Sequence, residues 1–171
     1  MTTGTKSLLF GVHQFIWHPI TVLAAWVWLY KRFPTWPELI CIIIHDWGYW
    51  GKERIDDEVG ETHPELGAKI AGWLLGEVYH DLCLLHSRHY SKTLGKEPSA
   101  LCWADKLSIA FEPWWLYLPR AWLSGELDEY RRASIGYLAI TKSHFEWFGW
   151  IQARQIKIGL DKKANAVPYT R

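Results

Sequence analysis

Six side chains of the kinds that bind metal ions occur in one order along the chain. They are four histidines and two aspartates, and one histidine is directly followed by an aspartate: His18, His45, Asp46, His63, His86 and Asp105. Imidazole nitrogens and carboxylate oxygens bind divalent transition metals, and a carboxylate beside a histidine can bridge two ions about 3.5–4 Å apart. The order predicts a two-metal hydrolytic site, provided that the fold brings the six side chains together.

The composition is that of one ordinary domain. With 171 residues, the chain is long enough to bury about 70% of the surface that its unfolded form exposes. Charged residues make up 22% and the formal net charge is +1, which gives no overall attraction to nucleic acid or to an acidic membrane. Neither a Pro/Gly-rich linker nor a repeat divides the chain, so we expect a single domain over 1–171.

Cysteine usage and apolar segments bear on the compartment. Cys41, Cys83 and Cys102 are an odd set without CxxC spacing, which favours free buried thiols in a reducing compartment. The most apolar stretch, Ile20 to Tyr30, is shorter than the roughly 20 residues of a membrane-spanning helix, and the N-terminus lacks a secretory-signal pattern. The sequence predicts a cytoplasmic protein without a transmembrane segment.

Apolar periodicity and breaker residues predict an all-α fold, a single-domain helical bundle. A first helix is expected over Ser7 to Trp17, and Pro19 fits the first turn of a second helix. Leu39 to Ile44 is a continuous apolar run that ends at His45 and Asp46. Its helical context favours a buried helix over a buried strand.

Capping patterns predict the later helices. Thr62 and Glu65 form a capping-box pattern that starts a helix beside His63, and Ser99 can cap the helix that carries Asp105. Further breaks are expected near Pro119 and Gly125. The predicted divisions of the domain are a motif core over about 18–108, a Trp-rich helical extension over 114–160 and a polar tail over 161–171.

Five segments together resemble the HD-domain metal-dependent phosphohydrolase superfamily. They lie between His18 and Ser108 and read, in order, HPITVLAAW, IIIHDWG, ETHPELGAKI, LLHSRHY and ADKLS. The order H, HD, H, H, D is similar to the two-metal branch of that superfamily. The resemblance implies two ion sites that share Asp46, one made of His18, His45, Asp46 and Asp105 and the other of Asp46, His63 and His86.

Four further histidines lie outside this ligand set. His89 lies three residues from His86, so the two share a helix face and His89 is an alternative fourth histidine; the likeness of LLHS to the family motif favours His86. His80 and Asp81 form a second His-Asp pair without a matching partner, which we interpret as a helix-surface pair. The histidines expected to be structural are His13 and His144.

The expected chemistry needs no protein nucleophile. A water shared by two divalent ions ionises near neutral pH and attacks phosphorus in line, while the ions stabilise charge on the phosphoryl oxygens. A cationic side chain offsets the remaining phosphate charge. Asp46 and Arg88 are the predicted catalytic residues. The predicted substrate-binding cations are Arg88, Lys92, Lys52 and Lys106, with Arg88 the first choice.

Aromatic residues follow the ligand pair directly. Trp47, Tyr49 and Trp50 either stack on a nucleobase or pack around the ligands, and the sequence does not separate these two roles. The segment WGYWGKE differs from the IGK of the cyclic-dinucleotide branch, and no GYP follows the fourth histidine. Cyclic-dinucleotide hydrolysis is therefore disfavoured.

Three functions are compatible with these residues. The leading one is hydrolysis of a nucleotide or similar phosphorylated metabolite, with Mn, Fe, Co or Ni favoured over Mg by the mixed imidazole and carboxylate ligands. The second, implied by the same resemblance, is a di-iron oxygenase that cleaves a C–C or C–P bond with O2. The third is a metal-stabilised binding module without catalysis.

The expected partner is a small phosphorylated substrate and no nucleic acid. A homo-oligomer is left open by the sequence. The Trp-rich region from Trp114 to Trp150 lies outside the resemblance, and three roles remain for it: it lines the substrate pocket, forms a dimer or contacts a membrane surface.

Overall fold

The computed structural model describes residues 1–134 and 142–164, and all regular structure within these ranges is helical. The predicted all-α fold is confirmed. The α-helices are α1 (Thr3–Phe10), α2 (Trp17–Tyr30), α3 (Trp36–Ile44), α4 (Pro64–Leu75), α5 (Glu77–Leu84), α6 (Arg88–Thr93), α7 (Ala100–Ser108), α8 (Trp114–Ser124), α9 (Glu126–Ala133) and α10 (His144–Ala164). Short 3-10 turns cover Trp47–Tyr49, Gly60–Thr62 and Ile109–Phe111. None of the described helices is both long enough and apolar enough to cross a membrane.

The main hydrophobic core lies between helices α2, α3, α4, α5 and α7. Val22 and Trp26 of α2 pack there with Ile42 of α3, Ala68 of α4 and Leu101 of α7, and all five are almost fully buried. Because close packing gives such a core little freedom to deform, the ends of these helices are held in fixed relative positions. The predicted ligands lie at or near those ends.

The Trp-rich region forms a second core beside the first. Tyr117 and Ala121 of α8 pack against Leu127 of α9 and against Trp147 and Phe148 of α10. Many other aromatic side chains of this region are exposed, including Trp115 and Trp122. The second core closes over one side of the predicted site.

Helix α4 approaches the end of α3 closely at a glycine. A Cβ atom built on Gly67 lies 2.7 Å from the backbone oxygen of Ile44 and 3.0 Å from Cα of His45. Real Cβ atoms do not tolerate such distances, so a side chain here pushes the two backbones apart. Gly67 therefore sets the position of the segment that carries His45.

The first helix begins and ends earlier than predicted. Helix α1 spans Thr3–Phe10 rather than Ser7 to Trp17, because Thr2 caps it and the backbone N–H of Gly11 closes its last turn. A Cβ on Gly11 lies 2.2 Å from a carboxylate oxygen of Glu126. The chain leaves the helix here to pass around that buried carboxylate.

The capping-box prediction at Thr62 is wrong. The Thr62 hydroxyl donates to the Val59 carbonyl at 2.8 Å and accepts from the Lys52 ammonium group, while the Glu65 carboxylate accepts from the Tyr90 hydroxyl. Neither side chain is left to cap α4. The predicted cap at Ser99 is confirmed, since its hydroxyl accepts from the backbone N–H of Cys102.

Two helix boundaries also differ from the prediction. Pro119 lies inside α8, because burial of Tyr117 and Ala121 around it outweighs the one backbone hydrogen bond that proline removes. Helix α5 ends at Leu84, so His86 lies in the turn that follows rather than on the helix.

Replacing Gly67 with alanine is expected to lower the free energy of unfolding by about 1–3 kcal/mol, the usual cost of overpacking. The matched control is Gly149→Ala in the exposed middle of α10, where a Cβ meets nothing within 4 Å; it should raise the free energy of unfolding by about 0.5–1 kcal/mol. Urea unfolding followed by circular dichroism measures both. Equal effects of the two variants would contradict the packing described for α3 and α4.

Candidate metal centre

The fold brings all six predicted ligands to one place. Their donor atoms form two groups, and within each group the atoms lie within 4.8 Å of one another. The first group is His18, His45, Asp46 and Asp105, and the second is Asp46, His63 and His86. The four histidines and Asp46 are buried, and the Asp105 side chain is 17% exposed. These groups could hold metal ions.

Asp46 belongs to both groups, and each of its oxygens faces a different pair of histidines. Oδ2 lies 3.1 Å from Nε2 of His18 and 3.2 Å from Nε2 of His45. Oδ1 lies 3.6 Å from Nε2 of His63 and 3.4 Å from Nε2 of His86. This is the arrangement of a carboxylate that bridges two ions.

Two of the three remaining distances also match ligands around one ion. Two atoms that each bind a metal at about 2.0–2.1 Å are separated by about 2.9–3.4 Å in octahedral or tetrahedral geometry. Oδ1 of Asp105 lies 3.2 Å from Nε2 of His18 and 3.8 Å from Nε2 of His45. Nε2 of His63 lies 3.0 Å from Nε2 of His86. The side chains need to move little to close around an ion.

Three of the histidines are oriented by the same local contact. The Nδ1 atoms of His45, His63 and His86 lie 2.8, 2.8 and 2.5 Å from the backbone oxygen three residues earlier in the chain. A carbonyl oxygen only accepts, so each Nδ1 carries the hydrogen. In the neutral ring Nε2 then has a free lone pair directed at the centre, which is the form that binds metal.

Several polar atoms at the centre lack hydrogen bonds. Among the described residues, Nε2 of His18, Nε2 of His45 and Oδ2 of Asp46 are buried and have no hydrogen-bond partner, although they lie close together. Buried polar atoms without partners are rare and costly. A cation between them satisfies all three, so the donor set fits a metal ion.

Without an ion, protons supply the positive charge. Burial alone lowers the pKa of His18, but the Asp105 and Asp46 carboxylates outweigh burial and raise it to about 9. Burial likewise opposes charge on His45, whose pKa Asp46 and Asp105 raise to about 10. Burial, and then the charge of His86, hold the pKa of His63 well below its usual value.

The two aspartates stay ionised. Burial opposes this, yet His45 and the other nearby histidines hold the pKa of Asp46 well below its ordinary value. The neighbouring imidazoles of His18 and His45 do the same for the pKa of Asp105. The metal-free centre is therefore two carboxylates balanced by protonated imidazoles.

A cavity of about 400 Å³ opens from the centre. Of the four predicted substrate-binding cations, Arg88 and Lys106 line it. Lys52 and Lys92 do not: the Lys52 ammonium group donates to Thr62, and Lys92 is exposed on α6. These two lysines lie outside the cavity wall, and their contact with a substrate stays a prediction.

The structure separates His86 from His89. His86 is 2% exposed and belongs to the second ligand group, while His89 is exposed at the cavity edge and belongs to neither group. The difference arises because His86 lies in the turn after α5 and His89 lies on α6.

His80 and Asp81, the pair expected on a helix surface, are partly exposed. The Lys96 ammonium group lies 2.7 Å from the carboxylate of Asp81.

Of the three aromatic residues that follow His45 and Asp46, Trp47 and Tyr49 pack inside the protein and Trp50 is exposed. The Tyr49 ring stacks on His63 with centroids 4.0 Å apart and lines the cavity. Trp47 packs against the main core. Trp50 is 58% exposed and stacks on Phe15. Tyr49 thus packs directly on a ligand.

His13, expected to be structural, lines the cavity. Its Nε2 lies 4.0 Å from Oδ2 of Asp46, and its Nδ1 lies 3.1 Å from a carboxylate oxygen of the fully buried Glu126. Burial raises the pKa of Glu126, but His13 and two serine hydroxyls outweigh it and lower that pKa. No local pattern could reveal this contact, since the partners are 113 residues apart. The other histidine expected to be structural, His144, contacts the Arg131 guanidinium group at 2.7 Å, away from the centre.

The C-terminal region also contributes to the cavity. Ile151, Arg154, Gln155 and Ile158 form one face of α10 that lines it, with the spacing of a single helical stripe. Tyr117 and Trp147 of the Trp-rich region line the cavity too. Of the three roles expected for that region, lining the cavity is therefore observed.

Comparisons of the chain with protein-family models, with curated proteins and with solved structures find no match. The resemblance to the HD-domain superfamily stays a prediction based on the motifs. Function must be argued from the centre and its cavity.

Metal binding is expected to release protons. At pH 7.5 the metal-free protein carries protons on His18 and His45, with pKa values of about 9 and about 10, and an ion displaces them because a ligand must be deprotonated. Calorimetric titration with Mn²⁺ in buffers of different ionisation enthalpy should show release of up to about two protons per chain. His89→Ala, outside both groups, should leave this number unchanged. Binding without proton release would contradict the account.

Proposed function

We propose that this protein is a metal-dependent phosphohydrolase that uses two divalent ions bridged by Asp46. The observation that carries the proposal is the position of the Asp46 carboxylate, each oxygen of which faces two imidazole nitrogens. The motif order supports the same conclusion.

The ligand set favours particular metals. Four imidazoles and two carboxylates are softer donors than Mg²⁺ prefers, and they suit Mn, Fe, Co or Ni. The buried histidines are also held by backbone carbonyls, which increases the basicity of the ligand nitrogen. We expect two such ions per chain.

Two ions held by these ligands would lower the pKa of a bound water towards neutrality and would stabilise charge on the phosphoryl oxygens. In the overall hydrolysis, the oxygen of water bonds to phosphorus as the bond from phosphorus to the leaving oxygen breaks, and the proton that the water gives up is balanced by the proton that the leaving oxygen takes up. The chain itself provides cations for the phosphoryl oxygens, because Arg88, Lys106 and Arg154 line the cavity.

The cavity limits the size of the substrate. A volume of about 400 Å³ lies toward the lower end of the range for small-molecule sites. A nucleotide or a phosphorylated metabolite of similar size fits this space. The described cysteines are free and buried, which supports the proposal of a reducing, cytoplasmic setting.

A di-iron oxygenase would use the same ligands, so the ligands do not distinguish it from a phosphohydrolase. The reaction that the protein catalyses distinguishes the two functions. Incubation of metal-loaded protein with a panel of nucleotides and sugar phosphates under anaerobic conditions should release phosphate. Oxygen consumption with an organic substrate and no anaerobic phosphate release would favour the oxygenase. Neither activity in a fully metal-loaded protein would favour the binding module.

Asp46→Ala is expected to abolish phosphate release and to lower the metal content, since it removes the one ligand common to both groups. Circular dichroism should show that the helices remain. The matched control is Asp128→Ala, which removes an exposed aspartate on α9 that lies outside the cavity and outside the groups of possible metal ligands among the described residues; it should keep both activity and metal. Retained turnover in Asp46→Ala would reject the proposal.

Arg88→Ala is expected to reduce kcat/KM about 10- to 100-fold, as for loss of a charge-assisted hydrogen bond to phosphate. Metal content should not change, because Arg88 belongs to neither ligand group. Lys92→Ala on the same helix is the control and should resemble the parent protein. Similar losses in both variants would point to general surface charge instead of a phosphate contact.

A further inference from the structure

Glu112 is a buried carboxylate in the cavity wall that the metal centre does not use. It follows the 3-10 turn Ile109–Phe111, is 4% exposed and lines the same cavity as the ligands. It belongs to neither ligand group. Its place in the cavity therefore calls for another explanation.

The two oxygens of Glu112 have different surroundings. Oε2 accepts from Nε1 of Trp17 at 2.9 Å and from the Arg120 guanidinium group at 2.8 Å. Oε1 is buried and has no hydrogen-bond partner among the described residues. One oxygen is saturated and the other lacks any donor.

Few buried side-chain atoms of the described residues lack a hydrogen-bond partner as Oε1 of Glu112 does. A buried acceptor without a partner lowers the stability of the protein, and more so when it is charged. Besides the atoms of the metal centre, the other buried unpartnered side-chain atoms of the described residues are the indole nitrogens of Trp26 and Trp47. Neither tryptophan lines the cavity. Glu112, by contrast, lines the cavity, and the metal ions do not account for its unpartnered Oε1.

The carboxylate is also held in place. Nε2 of Gln152 on α10 donates to the backbone oxygens of Ile109 and Glu112, each at 2.9 Å. Trp17 and Arg120 fix Oε2 from two other elements. With backbone and Oε2 both fixed, Oε1 cannot rotate to a protein donor without breaking these contacts.

We propose that Oε1 of Glu112 accepts a hydrogen bond from a hydroxyl or amino group of the substrate. The proposal rests on the proposed function and narrows its substrate class to phosphate monoesters whose organic part carries such a donor, as the sugar and base of a nucleotide do. A negative charge at this position also disfavours a second phosphate there. Arg88 and Lys106 then recognise the phosphoryl end and Glu112 the organic end.

The test compares Glu112→Gln with the parent protein on two kinds of phosphoester. Glutamine keeps the shape but can present an amide N–H where the acceptor was. With nucleoside 5′-monophosphates, kcat/KM should fall about 10- to 100-fold, the usual effect of losing a hydrogen bond to a charged group. With p-nitrophenyl phosphate, which has no hydroxyl or amino donor, it should stay within about twofold. Glu97→Gln, an exposed residue outside the cavity, is the matched control.

Equal losses on both substrates, or no loss on either, would overturn the proposal. If the parent protein hydrolyses neither ester, the proposed function fails, and calorimetric binding of the same nucleotides to the metal-loaded protein decides on Glu112 by itself. Weaker nucleotide binding in Glu112→Gln then supports the contact, and unchanged or absent binding rejects it. If Glu112→Gln does not fold, Glu112→Asp, which keeps the charge but withdraws it by one methylene, must show the same dependence on substrate.

Discussion

The structure depends on one buried charge, the carboxylate of Asp46. It is 5% exposed, its pKa is held well below the ordinary value, and four imidazole nitrogens lie within 3.6 Å of its two oxygens. A buried carboxylate is stable only with positive charge beside it. Protons on His18 and His45 meet this need without metal. Two divalent ions would meet it better, because they would also satisfy Asp105 and the lone pairs of His63 and His86.

The ends of helices and turns prepare the ligands for this role. At His45, His63 and His86 the imidazole Nδ1–H donates to the carbonyl group three residues earlier. At Gly60 and Cys83 that carbonyl also accepts the backbone N–H of the same histidine. This contact fixes the imidazole ring and leaves Nε2 free for the centre. Packing of α2, α3, α4, α5 and α7 around Trp26 and Ile42 then holds these ends together.

The sequence predicted the helical class and the identity of the converging ligands, because both depend on local patterns and on a motif order that lies within about ninety residues of chain. It could not predict the contact of Glu112 with Trp17 or that of Glu126 with Ser7, whose partners are 95 and 119 residues apart. Local signals also failed where tertiary contacts compete with them. Thr62 has the capping pattern but hydrogen bonds Lys52 and Val59 instead, and Pro119 is kept in α8 by its buried neighbours.

The location of bound metal tests the central claim most directly. Crystals of protein purified without chelator, measured on both sides of the absorption edges of Mn, Fe, Co and Ni, should show two anomalous peaks about 3.5–4 Å apart. One should lie between Asp46, His18, His45 and Asp105, and the other between Asp46, His63 and His86. Peaks elsewhere, or a protein saturated with these metals that shows none beside Asp46, would contradict the account.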